Sequence, residues 1–232
     1  MVRAIDRGLV SIDIVDIRDF ARDRHKTCDD YPYGGGPGMV FKPEPLASAL
    51  QSVREAASPA RPTVVLPTPS GIRFDQQVAE AFAAIDHLVL IAGRYEGVDQ
   101  RVIDTYVDFE VSIGDYVMSS GELASLVVVD TTARLLEGFI RAESLEQESY
   151  HGGLLEYPQY TRPECADSRC VPEVLRNGHH EQIERWRSMK RVEKTAAMRP
   201  DLLATRYRQK LQALSLQHLR AEAERRGNDE RD

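Results

Sequence analysis

The sequence predicts an α/β protein: a mostly parallel sheet with helices on its faces, followed by a helical tail. Short continuous apolar runs bounded by Pro or Gly, "PTVVLP" (62–67) and "HLVLIAG" (87–93), read as strands buried on both faces. Around them apolar residues recur at helical spacing, and strands that alternate with helices imply parallel pairing. From His179 onward the pattern is helical and is broken at Pro200.

In chain order, "VSIDIVDI" (10–17) alternates apolar and polar residues and predicts a strand. "DDYPYGGGPGM" (29–39) follows, with far more backbone freedom than a connection needs. It does not fit a phosphate loop, because the first lysine after the glycines is Lys42, and no apolar strand leads into it as a dinucleotide fingerprint requires. On these residues alone it is a tight multi-turn surface loop. "EPLASALQSVREAA" (44–57) places Leu46, Leu50 and Val53 on one helical face, and "IRFDQQVAEAFAAI" (72–85) does the same with Val78, Phe82 and Ile85.

"SSGELASLVVVDTTARLLEGFI" (119–140) contains Val127–Val129, which suits a strand. Ser119 followed by Glu122 has capping-box spacing and Gly138 supplies a stop, so the segment predicts a helix. Residues 141–173 are polar, rich in Pro and Gly and without period, as expected of a functional loop or domain linker. Of the tail, only "GNDERD" reads as disordered.

At 232 residues and 26.1 kDa the chain fits one large domain, or a medium domain with a smaller appendage. Its 42% hydrophobic and 29% charged residues are those of an ordinary globular protein. No apolar run reaches the length of a membrane span, and "MVRAIDRGLVSIDIV" has no secretory h-region, so a cytoplasmic protein is expected. Cys28, Cys165 and Cys170 form an odd count without CxxC, which suits a reducing compartment and disfavours zinc. The net charge of −7 is unevenly spread. Residues 171–232 carry 14 Lys/Arg against 10 Asp/Glu, whereas residues 1–170 carry 16 against 27. A basic tail on an acidic body is compatible with RNA contact and equally with solvated helices whose charges pair.

Three glycine-marked turns follow predicted strands: "PTPSG" (67–71), "AGRYEGVDQR" (92–101) and "VSIGDYVMSSGE" (111–122). In open α/β sheets ligands collect at the carboxyl ends of strands, so three such loops in one sheet would line one pocket. They bring Tyr95, Glu96, Asp115 and Tyr116 to one edge.

With these loops and with "YGGGPGM", "LLEYPQYTRP" and "RNGHHEQIERWR", the chain resembles the bacterial tRNA (guanine-N1)-methyltransferases, the TrmD family. The motifs occur in the family's order over residues 8 to about 200. That family methylates guanosine at tRNA position 37 with S-adenosylmethionine. The resemblance implies a SPOUT-class fold with a deep trefoil knot, a knotted α/β domain over 1–160, a linker over 161–172 and an all-helical tRNA-binding domain over 173–232. It also implies a homodimer with a composite active site. Knots are otherwise nearly absent from proteins, so composition alone does not imply one.

By motif match the resemblance places the cofactor against Thr68 and Pro69 of the first loop, and against Gly93, Tyr95, Glu96 and Gly97 of the second. From the third it takes Ser112, Ile113, Gly114, Asp115, Tyr116, Val117 and Met118, with Gly121 beyond. Plain core packing is the competing reading of Ile113 and Val117. The glycine loop is implied to lie beside cofactor and target base, with Asp29, Pro37 and Gly38 toward tRNA and Asp30 and Tyr33 near it. On the tail, Arg185, Arg187, Lys190 and Arg191 are implied tRNA contacts. Nothing in the sequence bears on magnesium dependence.

Guanine N1 carries a proton at neutral pH, so its methylation needs a general base and a group that stabilises charge on O6. The family's arginine maps to Arg134 in "TTARLLEG", for which an ion pair with Asp130 at i−4 is the plainer alternative. The family's base is an aspartate in Asp-Ser-Phe, where this chain reads "ESY" with Glu148; Glu143 and Glu146 are rivals. Ser120 stands for a glycine, Ser70 for a glutamine and His179 for an asparagine of the family's motifs. The family's first strand and its "FPE" motif have no counterpart, so the sheet is expected to lack a strand and leave an edge unpaired. Alternatives to the main reading are a SPOUT enzyme acting on another RNA atom and a non-catalytic RNA-binding relative.

Overall fold

The computed structural model describes residues 1–140 and 147–205. The chain divides into two units, Met1–Arg141 and Ala142–Asp232.

The first unit is a mixed α/β body around a parallel sheet. Its elements are α1 (Val2–Asp6), β1 (Asp29–Asp30), β2 (Val40–Phe41), α2 (Pro43–Ala57), β3 (Thr63–Arg73), α3 (Gln76–Ala83), β4 (Leu88–Leu90), α4 (Gln100–Tyr106), β5 (Phe109–Ser112) and α5 (Gly121–Ala133). β3 is central, paired in parallel with β4 on one side and β5 on the other, and β1 and β2 form a separate antiparallel pair.

The apolar run of β3 explains the layering. Alternate side chains point to opposite faces of a strand. Val64 and Leu66 pack with Leu46, Leu50, Ile91 and Val102 under α2 and α4, while Val65 packs with Phe82, Val111 and Val128 under α3 and α5. Helices therefore cover both faces, as the unbroken apolar strands require. Asp75 caps α3 by accepting from the backbone N–H groups of Gln77 and Val78, and Asp99 caps α4 through that of Arg101.

In the first unit the structure corrects three expectations about local elements. Residues 10–16 are not a strand: they join none of the sheets, and Ile17–Phe20 make a short 3-10 turn. Their alternation is real, but a strand needs a partner for its N–H and C=O groups, and here Ile14 is 94% exposed. "PTPSG" is not a turn after a strand but part of β3, where the register against β5 jumps between Pro67 and Ile72, both opposite Val111. An insertion of this kind pushes residues out of a ladder while the strand continues. The Ser119–Glu122 capping box does not form; Ser120 is the N-cap of α5 without a side-chain cap bond, and Glu122 is engaged elsewhere.

The second unit opens with a turn that includes a 3-10 segment at His151–Gly153. It continues through a hairpin, β6 (Cys165–Ala166) and β7 (Arg169–Cys170), to α6 (His180–Met198). Thus the segment read as a functional loop or linker carries a hairpin, whose turn residues Asp167 and Ser168 both take positive φ. That turn sets Cys165 opposite Cys170, and the two form a disulfide, whereas the cysteine count had suggested free thiols; Cys28 is free and buried. Arg199 interrupts the last helix and residues 200–205 resume it. "GNDERD" lies outside the described residues.

Candidate functional site

Of the three stretches predicted from glycine spacing, the second and third meet beside the carboxyl ends of β4 and β5, and the first is an irregularity within β3. Thr68–Gly71 bulge from β3, with the hydroxyls of Thr68 and Ser70 3.2 Å apart. Residues 91–99 follow β4, and 113–120 follow β5.

The second loop is the hub. Its Tyr95 takes φ +61 and leaves its ring edge-on to Phe41, with centroids 5.7 Å apart. The backbone N–H of Glu96 donates to Met39 O at 3.0 Å, and Phe41 N–H donates to Gly97 O at 3.0 Å. Those bonds dock the end of the glycine loop onto the second loop. Gly34, Gly35, Gly36 and Gly38 all have positive φ, which accounts for the glycine run. At Gly38 there is a further reason: a Cβ there would overlap the Glu96 side chain. Asp29 pairs with Phe41 across β1 and β2, Asp30 accepts from Tyr31 N–H at 2.8 Å, and Pro37 and Tyr33 are exposed.

The third loop folds on itself. The Ser112 hydroxyl donates to Gly114 O at 3.1 Å, Tyr116 N–H donates to the same oxygen at 2.9 Å, and the Tyr116 ring lies over Gly114. Ile113 is partly buried and packs against the core, whereas Val117 is 84% exposed and does not. Asp115 is exposed and Met118 half-buried.

The second and third loops meet, antiparallel, where α5 begins. Gly121 N–H donates to Gly93 O at 2.6 Å, and a Cβ on Gly121 would lie 2.5 Å from Gly93 N. That hydrogen bond belongs to an antiparallel bridge between Arg94 and Ser120, and Arg94 donates to one oxygen of Glu122 from Nε at 2.8 Å and from Nη2 at 2.6 Å. The Ser120 hydroxyl and the Arg94 guanidinium hold the Glu122 carboxyl below its ordinary pKa. Sequence reasoning did not find this pair; its signal was a Glu at capping-box spacing that takes another partner.

Around these loops the surface is open and partly apolar. Gly93 and Gly97 leave open space, since a Cβ would meet only Leu66 at 3.9 Å at the first and nothing within 4 Å at the second. Exposed Tyr95, Tyr116 and Ile72 offer flat or apolar surface around backbone amides. Arg134 caps the C-terminal end of α5 and is half-buried.

In the second unit, Glu148 is half-buried in the turn 147–150. This turn is folded onto the residues after it: Tyr157 OH donates to Gln147 Oε1 at 2.7 Å, and Glu156 N–H to Ser149 Oγ at 3.1 Å. α6 buttresses the same segment. Arg191 donates to His151 O at 2.9 Å and to Leu155 O at 3.3 Å, Leu155 N–H donates to buried Thr195 Oγ1 at 2.9 Å, and Arg187 stacks over the Tyr157 ring at 4.8 Å. Arg187 also pairs with Glu184 and Lys190 with Glu193, while Arg185 is exposed. Glu143 and Glu146 lie outside the described residues. Among the described residues no group of His, Cys, Asp or Glu could hold a metal ion, and no helix is long and apolar enough to cross a membrane.

Residues 1–205 match the family model described as tRNA (Guanine-1)-methyltransferase TrmD. Curated relatives named tRNA (guanine-N(1)-)-methyltransferase include one from Treponema denticola, 56% identical over 203 residues, covering 88% of this chain and 82% of the relative. One from Borreliella burgdorferi is 52% identical over 204 residues (87% and 84%), and one from Chloroflexus aggregans 52% over 202 residues (87% and 79%).

Proposed function

The chain belongs to the tRNA (guanine-1)-methyltransferase TrmD family, and we propose that it transfers a methyl group from S-adenosylmethionine to N1 of guanosine at tRNA position 37. The observation that carries the reading to the site is the antiparallel meeting of the second and third loops at Gly93 and Gly121, at the carboxyl edge of the parallel sheet. The family's knotted SPOUT topology is part of the same reading.

Bound S-adenosylmethionine supplies a methyl already activated by the sulfonium. What remains for the protein is alignment, exposure of N1 and removal of its proton. Thr68, Pro69, Gly93, Tyr95, Glu96 and Gly97 are the proposed walls, with Ser112–Met118 and Gly121 closing the other side. Glu148 accepts the N1 proton and Arg134 stabilises charge on O6. The glycine loop, through Asp29, Pro37 and Gly38, flanks the base. Arg185, Arg187 and Lys190 on the helical domain (173–232) contact tRNA, joined through the linker 161–172 to the α/β domain (1–160). The protein acts in the cytoplasm as a homodimer. Exposed Leu123, Leu126 and Val127 on α5 support a second copy packing there.

Incubation with tRNA and labelled S-adenosylmethionine, followed by mass analysis of nucleosides, tests the reading. Labelled 1-methylguanosine from position 37 is the expected product. Label on another nucleoside, or none despite tRNA binding, would replace it with one of the two alternatives.

A further inference from the structure

We propose that Arg94 and Glu122 are a positioning pair that holds the second and third loops in the antiparallel arrangement needed for cofactor binding, a role that rests on those loops taking S-adenosylmethionine. The pair joins positions 28 residues apart, with two donors on one carboxylate oxygen. It lies beside the antiparallel bridge between Arg94 and Ser120, to which the bond from Gly121 N–H to Gly93 O belongs.

Glu122 stands in the first turn of α5, where a carboxylate usually serves the helix itself, yet Ser120 caps without a side-chain bond and Glu122 turns to Arg94. Arg94 is flanked in sequence by Gly93 and Tyr95, so its anchoring fixes the backbone on both sides. The side chains are 57% and 42% exposed, which limits their effect on global stability. A local effect remains, because an open meeting of two loops has few apolar contacts to keep it closed.

The test uses Arg94→Ala, Arg94→Lys, Glu122→Gln and the swap Arg94→Glu with Glu122→Arg. Amide hydrogen exchange over 92–98 and 113–121 is read without cofactor, and S-adenosylmethionine affinity by calorimetry. Arg94→Ala and Glu122→Gln should each speed exchange in both segments and weaken the cofactor by about threefold or more, with α2 unchanged. The swap should recover part of both, Arg94→Lys should fall between, and in turnover KM for the cofactor should rise more than kcat falls. Wild-type exchange in Arg94→Ala or Glu122→Gln, or a swap as loose as the single variants, would overturn the proposal. If Arg94→Ala does not fold, Arg94→Lys and Glu122→Gln decide it. If wild-type protein binds no S-adenosylmethionine, the cofactor reading and the pair's role in it both fail, while exchange still reports whether the pair holds the loops.

Discussion

Gly38 lies directly against Glu96: a Cβ at residue 38 would overlap the Glu96 carboxylate and its Cγ. The glycine run is therefore tied to the second loop by a close approach, and not only by its turns. Gly38→Ala should displace Glu96, whose side chain is flexible and exposed, and also meet the strain of φ +83. The expected result is a small fall in melting temperature and a clear rise in KM for tRNA or cofactor. Adding Glu96→Ala should relieve the clash without restoring activity. Unchanged kinetics in Gly38→Ala would separate the glycine loop from the site.

Gly121→Ala should be harsher. Its Cβ would meet the backbone of Gly93 at 2.5 Å, and no rotamer change can move a backbone atom aside. Overpacking of this sort costs about 1–3 kcal/mol. Loss of S-adenosylmethionine binding by calorimetry, with helix content retained by circular dichroism, is expected. Gly114→Val, which adds bulk under the Tyr116 ring, should act likewise. Undiminished binding in both would remove the third loop from the pocket.

Arg134→Ala should lower turnover far more than cofactor affinity, because the interaction it removes forms as charge develops on O6. Glu148→Gln keeps size and cannot accept a proton, so methyl transfer should collapse while tRNA still binds. If the two act across a homodimer, mixing the single variants should regenerate active sites. Full activity in Glu148→Gln, with loss in Glu146→Gln, would move the base to another residue.

The basic faces of α6 should divide by what they touch. Arg185→Ala should weaken tRNA binding and reduce the slope of log affinity against log salt by about 1, one phosphate contact's worth. Arg191→Ala should instead loosen the segment 151–155 to which it donates, visible as faster amide exchange there. An unchanged salt slope after removing Arg185 and Lys190 together would leave α6 as solvated surface.

Acid should loosen the contact between the second and third loops. Glu122 is held below its ordinary pKa, so the stability it contributes is present above the unfolded value and is lost as pH falls through the folded one. Amide protection over 92–98, taken relative to the intrinsic exchange rate at each pH, should therefore fall as acid takes Glu122 through its lowered pKa, and Glu122→Gln should abolish that dependence. The same acid response in Glu122→Gln would assign it to another group, such as Asp99, which Arg101 also holds low.

By itself the sequence determined the layered body and the edge where the site forms. The run Val64–Leu66 must be covered on both faces, and Leu46, Leu50 and Phe82 recur at the spacing that covers it. Glycines after β4 and β5 marked the loops, and the motifs carried the family. The tertiary structure decided what depends on partners distant in the chain. Residues 10–16 alternate like a strand and are not one, because alternation fixes which side chains share a face and not whether a neighbour is there to accept hydrogen bonds. Glu122 sits at capping-box spacing and pairs with Arg94, because an ion pair forms with whichever charge the fold brings near. Cys165 meets Cys170 because two left-handed residues turn the hairpin between them. Local pattern fixes conformation over one or two turns of chain; where two loops meet is set only when the whole sheet is assembled.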